Sequence, residues 1–487
     1  MLFNSLDFAL FLPVVFLLYW FVFVPLGLKV RNGFVLVASY VFYGWWDWRF
    51  LFLIAFSSLV DFLVARFLST SQTPFIRKGL LGVSLTTNLG LLFLFKYYGF
   101  FLESFVGAFR SLGVEMNVPT LHLVLPVGIS FYTFQTLSYT IDVYRRQLEP
   151  ATDMVSFFAY VAFFPQLVAG PIERASFLLP QFLEKRGFEP LKASEGCRQI
   201  LWGLFKKVVV ADACGPLVDE IFKSYESLSS PILVLGSVLF AIQIYGDFSG
   251  YSDVAIGLAK LFGFELKDNF RYPYFSRDIA EFWRRWHISL STWFRDYLYI
   301  PLGGSRGSTL SRIRNVFAIF IVSGFWHGAN WTFMVWGALN ALYFLPLMLG
   351  NKNRENVGPI AENRVLPGLR ETSAILMTFS LTCLAWVFFR ADTIGVALDY
   401  LQGIFALEHI GKTKDLLGTL GIGKRVLALL FLKCFVLFGL EWYNRDRKFG
   451  LSIDRWPTLA RWASYYLLIF WILSDFGKER TFIYFQF

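Results

Sequence analysis

The chain has 487 residues, of which 56% are hydrophobic, 16% are charged and 57 are phenylalanine, and its net charge is +10. Because soluble domains carry about 25% charged residues, this composition excludes a disordered chain, a coiled coil and a disulfide scaffold, and it argues against a soluble multidomain enzyme. The basic excess is typical of cytoplasmic loops beside anionic lipid rather than of a nucleic-acid-binding protein. Four cysteines without zinc-like spacing lie in or beside apolar runs, so we expect buried free thiols.

Apolar runs recur along the whole chain and predict membrane-spanning helices, since about 20 helical residues cross the hydrocarbon core of a bilayer. Several runs are short and can re-enter the membrane instead of crossing it, so we predict roughly 10–13 crossings. No internal repeat or long linker separates the runs, which predicts a single all-α polytopic membrane domain over residues 1–487. The candidate spans are residues 8–28, 33–46, 50–68, 79–95, 121–141, 157–168, 200–213, 231–246, 254–264, 316–350, 373–389, 426–440 and 462–473.

Residues 315–351 form the longest segment that lacks Asp, Glu, Lys and Arg. As one straight helix they would run about 55 Å, which exceeds one bilayer, so the segment must tilt, bend or re-enter. The glycines of residues 323–330 predict a break there. His327 lies within this break, and a neutral histidine that faces a cavity suits a general base. The alternative is a histidine that only forms a hydrogen bond between helices.

Residues 281–304 place five apolar side chains on one face of a predicted helix, with arginines largely off that face. This pattern is typical of a helix in or dipping from the membrane interface, and it contains His287. An aromatic and arginine anchor would explain most of the segment without requiring this histidine. Arg284 and Arg285 are candidates for holding phosphate groups of a donor. The apolar face comprises Phe282, Trp286, Leu290, Trp293 and Tyr297.

Two further segments place polar residues in apolar surroundings. Asp247 and Asp253 are candidates for acid–base work, but we favour a structural use in which they bond arginine or backbone donors. In residues 163–174, two prolines and a glycine predict a broken helix or re-entrant turn. Glu173 and Arg174 would hold this turn in a polar interior of the protein. We expect these two residues to have a structural role and not a chemical one.

Residues 303–307 match the G-x-S-x-G pattern of serine hydrolases. That motif requires a strand before it and a helix after it. Here it lies in a turn rich in glycine and arginine, so we do not predict that Ser305 is a nucleophile. The sequence has no Walker loop, H-E-x-x-H motif or dinucleotide fingerprint and no visible metal-ligand cluster, so we expect activity to be insensitive to chelators.

Taken in order, these segments resemble the membrane-bound O-acyltransferase superfamily, and within it the bacterial alginate O-acetyltransferase branch. The resemblance covers almost the whole chain, and the block 245–337 is its most specific part. The N-terminal 20 residues and residues 125–145 also look typical of the branch. The matching segments are FFPQLVAGPIER (163–174), YGDFSGYSDVAIG (245–257), NFRYPYFSRDIAEFWRRWHISLSTWFRDYLYIPLGG (269–304) and SGFWHGANWTFMVWG (323–337).

The resemblance implies a ring of transmembrane helices around a central funnel, where donor and acceptor meet from opposite faces of the membrane. The essential histidine of the family falls on His327, and the second histidine of its motifs falls on His287. Trp326, Asn330 and nearby backbone N–H groups are candidate donors to the oxyanion of the reaction. The full set of candidate substrate-binding residues is Trp326, Asn330, Arg284, Arg285, Asp247 and Tyr251.

The function implied is transfer of an acyl group, with acetyl as the expected group, from a cytoplasmic thioester toward hydroxyls of an exported polysaccharide such as alginate. His327 would be the general base or would carry the acyl group. We expect acetyl-CoA as the donor substrate, no bound cofactor or metal, membrane lipid around the chain and no nucleic acid. We also expect a bacterial inner-membrane location and an extracytoplasmic acetyltransferase- or esterase-like partner protein.

Three alternatives stay open at this point. The same fold could transfer D-alanine to teichoic acid, or acetyl to peptidoglycan or cellulose. A transporter without catalysis would show inverted repeats with matching midplane charges, which this sequence lacks. A scaffold for a secretion complex would tolerate loss of His327 without loss of acylation.

Overall fold

The computed structural model describes residues 1–116, 118, 123–406, 423–477, 480 and 482–483. The regular secondary structure of these residues is helical, with turns and irregular segments between the helices and no strand. Their contacts divide the chain into two compact units. Unit 1 contains Met1–Gly196 and Ala255–Lys267, and unit 2 contains Cys197–Val254 and Asp268–Phe487.

The described residues of unit 1 include nine complete α-helices. Two sequence signals fix helix starts: Pro74 occupies the first position of one helix, and the side chain of Asp153 accepts a hydrogen bond from the backbone of Ser156 to cap another. The helices are α1 (Leu6–Leu17), α2 (Leu28–Asp47), α3 (Leu51–Thr70), α4 (Pro74–Leu92), α5 (Tyr98–Ser111), α6 (Ile129–Tyr144), α7 (Met154–Val161), α8 (Phe164–Leu167) and α9 (Ala175–Leu183). Helix α10 (Pro190–Leu204) continues from unit 1 into unit 2.

A buried polar cluster joins α3, α4 and α6 around the fully buried Asp61. Ser84 donates to its Oδ1, Thr140 donates to the same oxygen at 3.0 Å, and the amide of Asn88 donates to Oδ2 at 2.8 Å. A carboxyl group in an apolar unit needs such partners, because an unsatisfied polar group is costly there. The cluster therefore ties three helices together through side-chain hydrogen bonds.

The broken helix predicted for residues 163–174 is confirmed. Helix α8 ends at Leu167 after a single turn, and α9 begins only at Ala175. Glu173, in the connection, is buried and accepts a hydrogen bond from the backbone N–H of Lys267 at 2.5 Å. This contact agrees with the structural use that we expected for Glu173.

The other α-helices among the described residues begin in unit 2. Helix α12 starts in unit 2 and ends in unit 1. The helices are α11 (Asp212–Lys223), α12 (Ser230–Leu261), α13 (Ile279–Arg285), α14 (Ile288–Phe294), α15 (Thr309–His327), α16 (Trp331–Leu349), α17 (Leu369–Arg390), α18 (Ile394–Phe405), α19 (Lys424–Tyr443) and α20 (Thr458–Asp475).

Helices α15 and α16 form a closely packed pair, and the break predicted between residues 323 and 330 is confirmed. Helix α15 ends at His327, and α16 begins at Trp331. Gly324 and Gly337 lie where the two backbones touch, because a Cβ atom at either position would collide with a carbonyl oxygen of the other helix, that of Phe333 or that of Phe320. Small residues permit this close approach of helices.

Among the described residues, seven segments are long and apolar enough to cross a membrane, which confirms an all-α polytopic membrane protein. Two of them exceed a single crossing because each joins two α-helices. The number of crossings and the ring with a funnel stay predictions, and residues 121–122 of one predicted span lie outside the described residues. The segments are Leu6–Phe23, Leu28–Thr70, Pro74–Ser111, Ser230–Leu261, Trp331–Leu349, Leu369–Arg390 and Lys424–Tyr443.

Two predictions from the sequence are wrong. Residues 281–304 are not one interfacial helix: α13 ends at Arg285, α14 begins at Ile288, and a π-helical segment follows over Arg295–Tyr299. Phe282 and Trp286 on the predicted face are buried within the protein core, so the aromatic residues pack inward instead of anchoring the chain to lipid. Cys197 is also exposed, although the other three thiols are buried and all four are free.

Candidate active site

His327 is the last residue of α15 and is almost fully buried in unit 2. Its ring lies 5.0 Å from that of Trp326, 5.2 Å from that of Trp336 and 5.5 Å from that of Phe389, measured between ring centroids. These three aromatic rings surround the imidazole with apolar surface. A polar side chain in such a place is expensive to maintain, which makes it a candidate for function.

The sequence around His327 explains its position. Gly328 ends α15 in an extended conformation, and a Cβ atom there would collide with the ring of Phe333. Asn330 then caps α16, because its Oδ1 accepts a hydrogen bond from the backbone of Thr332 at 3.1 Å. The turn is therefore short, and it holds the histidine at the junction of the two helices.

His287 is the second predicted site residue and is fully buried. It lies between α13 and α14 with φ of 43° and ψ of 54°, in the left-handed region that residues other than glycine seldom occupy. Its ring packs edge-on against that of Phe248 at 4.6 Å. A strained backbone at a buried histidine is an observation that points to function.

The structure brings the two predicted site histidines close together. Their ring centroids are 6.3 Å apart. The ring of Trp326 lies 6.1 Å from that of His287 and 5.0 Å from that of His327. The candidate site is therefore two neighbouring imidazoles and an indole inside an aromatic enclosure of unit 2.

Burial determines the charge of the second imidazole. His287 has no exposed surface, and desolvation lowers its pKa from 6.5 to about 3. Burial disfavours the charged form of a histidine, because an imidazolium would lose its hydration. His287 is consequently a neutral imidazole at neutral pH.

Asn269 is a residue of this site that the sequence analysis missed. Its side-chain oxygen lies 3.1 Å from Nδ1 of His287, and its backbone oxygen accepts from the N–H of Ile288 at 2.9 Å. Asn269 is separated from the histidine by 18 residues and has no distinctive neighbours in the sequence. The only available signal was its place at the start of the motif 269–304.

Asp247 and Asp253 lie on α12 and face two consecutive lysines. Asp247 is 2.7 Å from Nζ of Lys207 and accepts from the backbone of Ile483 at 2.6 Å. Asp253 is 2.5 Å from Nζ of Lys206. These contacts agree with the structural use that we favoured, except that lysines take the place of the expected arginines.

The other candidate substrate-binding residues are held by the protein. The amide of Asn330 donates to the carbonyl of Asp392 at 2.9 Å besides capping α16. Arg285 binds Glu281 at 2.8 Å. Tyr251 is buried, with its ring 4.4 Å from that of Phe482. Trp326 is the member of this predicted set whose ring lies next to both histidines.

Arg284 borders a cavity of about 750 Å³ in unit 2. Its guanidinium donates to the carbonyls of Asn353 and Asn356, at 2.8 and 2.9 Å. The cavity is lined both by Ile288, which follows His287 in sequence, and by Ser323, one helical turn before His327. Arginines and apolar side chains share its wall, including Arg284, Arg295, Arg312, Arg354, Phe320 and Phe344.

Comparison with known proteins assigns this architecture. Residues 37–352 match the membrane-bound O-acyltransferase family. The chain belongs to this family. It is therefore a multi-pass membrane O-acyltransferase, and both histidines of the candidate site lie within the matched residues.

Curated relatives come from several branches of the family. The chain is 39% identical over 454 residues to a probable alginate O-acetylase of Pseudomonas aeruginosa, which covers 91% of this chain and 83% of that protein. It is 36% identical to a peptidoglycan O-acetyltransferase of Helicobacter pylori, over 84% of this chain and 81% of that protein. It is 26% identical to a teichoic acid D-alanyltransferase of Streptococcus thermophilus, over 60% and 75% respectively.

Proposed function

We propose that this O-acyltransferase moves an acetyl group from a cytoplasmic thioester across the membrane toward hydroxyls of an exported polysaccharide such as alginate. The observation that carries the proposal is the burial of His327 beside His287, 6.3 Å apart within aromatic walls. Supporting it, the alginate O-acetylase of P. aeruginosa shares 39% identity with this chain.

In this proposal His327 is the general base. It accepts the proton of the acceptor hydroxyl while the hydroxyl oxygen attacks the thioester carbonyl. The new C–O bond forms, the C–S bond breaks, and the proton passes from the imidazole to the departing thiolate. His287 assists by positioning or proton transfer, and the N–H of Trp326 is the candidate donor to the oxyanion. A variant of the same route has His327 carry the acyl group itself before transfer.

The donor in this proposal is acetyl-CoA, a substrate rather than a resident cofactor. The cavity of about 750 Å³ suits such a molecule, because arginines recognise phosphate groups and apolar walls accept an extended thiol arm. Arg284, Arg295 and Arg354 have exposed side chains at this cavity. Its lining by Ser323 and Ile288, which lie near the two histidines in sequence, is consistent with delivery of a thioester toward them.

We further propose a bacterial inner-membrane location, with lipid around the spans and an extracytoplasmic acetyltransferase- or esterase-like partner. Such a partner would complete transfer to the polymer once the acyl group has crossed the bilayer. The net charge of +10 suits cytoplasmic loops on anionic lipid.

The second candidate function is acyl transfer to another envelope polymer. The relative in H. pylori is named a peptidoglycan O-acetyltransferase and shares 36% identity, and the same two histidines would serve that reaction. D-alanyl transfer to teichoic acid rests on the 26% relative and is therefore ranked below acetyl transfer.

The test compares a deletion strain that carries the wild-type chain with one that carries His327→Ala, at equal membrane abundance. The measurement is ester-linked acetyl on the exported polysaccharide. We expect wild type to restore acetyl and the variant to restore less than about one hundredth of it, in line with removal of a general base. Equal restoration by both chains would make the protein a conduit or scaffold. Restoration by neither would favour another polymer or D-alanine.

A further inference from the structure

We propose that Asn269 is a positioning residue that holds His287 as its Nδ1–H tautomer, so that Nε2 is the hydrogen-bond acceptor of this imidazole. This inference rests on the proposed function, in which His287 assists acyl transfer. It assigns a role to a residue that does not need to touch substrate, and it makes Nε2 the ring nitrogen of His287 that accepts hydrogen bonds.

The orientation of the Asn269 amide follows from its neighbours. The backbone N–H of Ser289 points at Oδ1 at 3.3 Å, and the hydroxyl of Ser289 donates to the same oxygen at 2.9 Å. On the other side, Nδ2 donates to the hydroxyl of Ser252 at 3.1 Å. A flipped amide would place its NH₂ group against the backbone N–H of Ser289, which has no acceptor to offer. The oxygen of Asn269 is therefore the atom that faces His287.

The tautomer of His287 follows from that orientation. An amide oxygen only accepts hydrogen bonds, so the Nδ1 atom 3.1 Å away must carry the hydrogen. A neutral imidazole has only one N–H, which makes Nε2 the acceptor. In the Nε2–H tautomer, the lone pair of Nδ1 would face a lone pair of the Asn269 oxygen. Both side chains are fully buried, and a missing hydrogen bond is costly there.

The backbone of the same residue also fixes where the ring lies. The carbonyl of Asn269 accepts from the N–H of Ile288 at 2.9 Å, and the N–H of Arg271 donates to the carbonyl of Arg285 at 2.9 Å. These two bonds hold the segment on either side of His287 while the residue occupies its left-handed conformation. Asn269 thus sets both the place of the ring and the position of its proton.

The direct test is ¹⁵N NMR of protein labelled at histidine, because the chain has only four histidines and His287→Gln assigns the signal. At pH 7 we expect wild-type His287 as the Nδ1–H tautomer, and Asn269→Ala to convert at least half of it to Nε2–H. The matched control is Asn444→Ala, another buried asparagine of unit 2 whose amide donates to the carbonyl of Gly450 at 2.7 Å. A wild-type Nε2–H tautomer, or an unchanged tautomer in Asn269→Ala, would overturn the proposal.

The pH dependence of kcat is a second measurement, which a merely structural role of Asn269 would not change. We expect Asn269→Ala to lower kcat for acetyl transfer about 10- to 100-fold, by analogy with the loss when the hydrogen-bond partner of a metal-bound histidine is removed, with little change in KM. Asn269→Asp keeps an acceptor at Nδ1 but favours imidazolium, so we expect near-normal kcat at alkaline pH and a new decline as pH falls. The same loss in both variants at every pH would contradict positioning.

The two proposals can fail separately. Retained acetyl transfer in His327→Ala would remove the proposed function, whereas the NMR result on His287 does not depend on activity. If His327→Ala abolishes transfer and Asn269→Ala is fully active, the proposed function stands and the positioning role fails.

Discussion

His287 shows at the scale of one residue how burial controls chemistry. Its ring has no exposed surface, and desolvation lowers its pKa to about 3. A neutral imidazole can accept a proton from a reacting group, whereas an imidazolium cannot. Burial therefore keeps this imidazole neutral across the physiological pH range, where it can accept a hydrogen bond but is only a weak base, and the cost of that burial must be met by the rest of the fold.

This cost predicts a dependence of stability on pH. In the unfolded chain a histidine has a pKa near 6.5. Below that pH the unfolded state binds a proton at this histidine, whereas the folded state does not. Stability should fall as pH drops from about 6.5 toward 3, by at most about 1.4 kcal/mol per pH unit from this group. We expect thermal unfolding in detergent to show a smaller decrease between pH 6.5 and 5 in His287→Gln than in wild type. Identical decreases would contradict the role of His287.

At the scale of the helix pair, the close packing of α15 and α16 positions His327. Gly324→Ala would push a Cβ atom into the carbonyl of Phe333, and backbone cannot yield as a flexible side chain can. We expect this change to lower stability by about 1–3 kcal/mol, as overpacking does, and to reduce acyl transfer because His327 lies three residues away. The measurements are the unfolding temperature in detergent and the rate of transfer.

Gly439→Ala is the matched control for this prediction. Gly439 lies within α19, and a Cβ atom there would meet nothing within 4 Å. Alanine favours a helix interior over glycine by roughly 1 kcal/mol, so this variant should be as stable as wild type or more stable, with normal activity. If both alanine variants behave alike, the contact between α15 and α16 does not explain the position of His327.

The ion pair between Asp247 and Lys207 belongs to the same scale, because it joins α12 to the π-helical segment Phe205–Ala211. Asp247→Asn would leave Lys207 with Asp212, 2.7 Å away, as its remaining carboxylate partner. Breaking a buried pair costs about 3–5 kcal/mol, and the second partner should reduce that cost. We expect a lower folded yield with normal turnover per folded molecule.

Arg49→Gln is a suitable comparison for Asp247→Asn, since it breaks an ion pair whose arginine side chain is 67% exposed. Such an exposed pair contributes little to stability because water screens it, so the yield of this variant should match wild type. Normal yield of Asp247→Asn together with lost turnover would instead place this carboxylate in the site.

The sequence predicted those features that depend on composition and length. A charge-free run too long for one bilayer required the break that ends α15 at His327, and prolines predicted the end of α8. The sequence did not predict the break at His287. Aromatic residues at helical spacing indicate a helix, but this spacing does not reveal that a single residue within it has a left-handed backbone conformation. Asn269 was missed for a related reason. Its role arises from a contact with a residue 18 positions away in sequence, and hydrophobic periodicity predicts only the local secondary structure.

At the scale of the whole molecule, part of the net positive charge is concentrated at one cavity. Arginines border the cavity whose wall includes Ser323 and Ile288, each close in sequence to one of the histidines. In the proposed function a thioester donor with several phosphate groups enters this cavity. The arginines would then contribute to donor binding without taking part in the chemical step, which separates their effect on KM from that of the histidines on kcat.

We therefore expect the double variant Arg312→Gln and Arg354→Gln to raise KM for acetyl-CoA about tenfold, with kcat unchanged. Hydrogen bonds to charged groups contribute about 1.5–3 kcal/mol, so tenfold is the low end of this range. The measurement is acetyl transfer in membrane vesicles at varied acetyl-CoA, with Arg49→Gln as control because its side chain binds Asp47 in unit 1. The wild-type KM should rise with added salt, and the double variant should respond less, because screening acts on the charges that were removed. An unchanged KM would exclude this cavity as the donor site and leave the two histidines without an assigned route for the thioester.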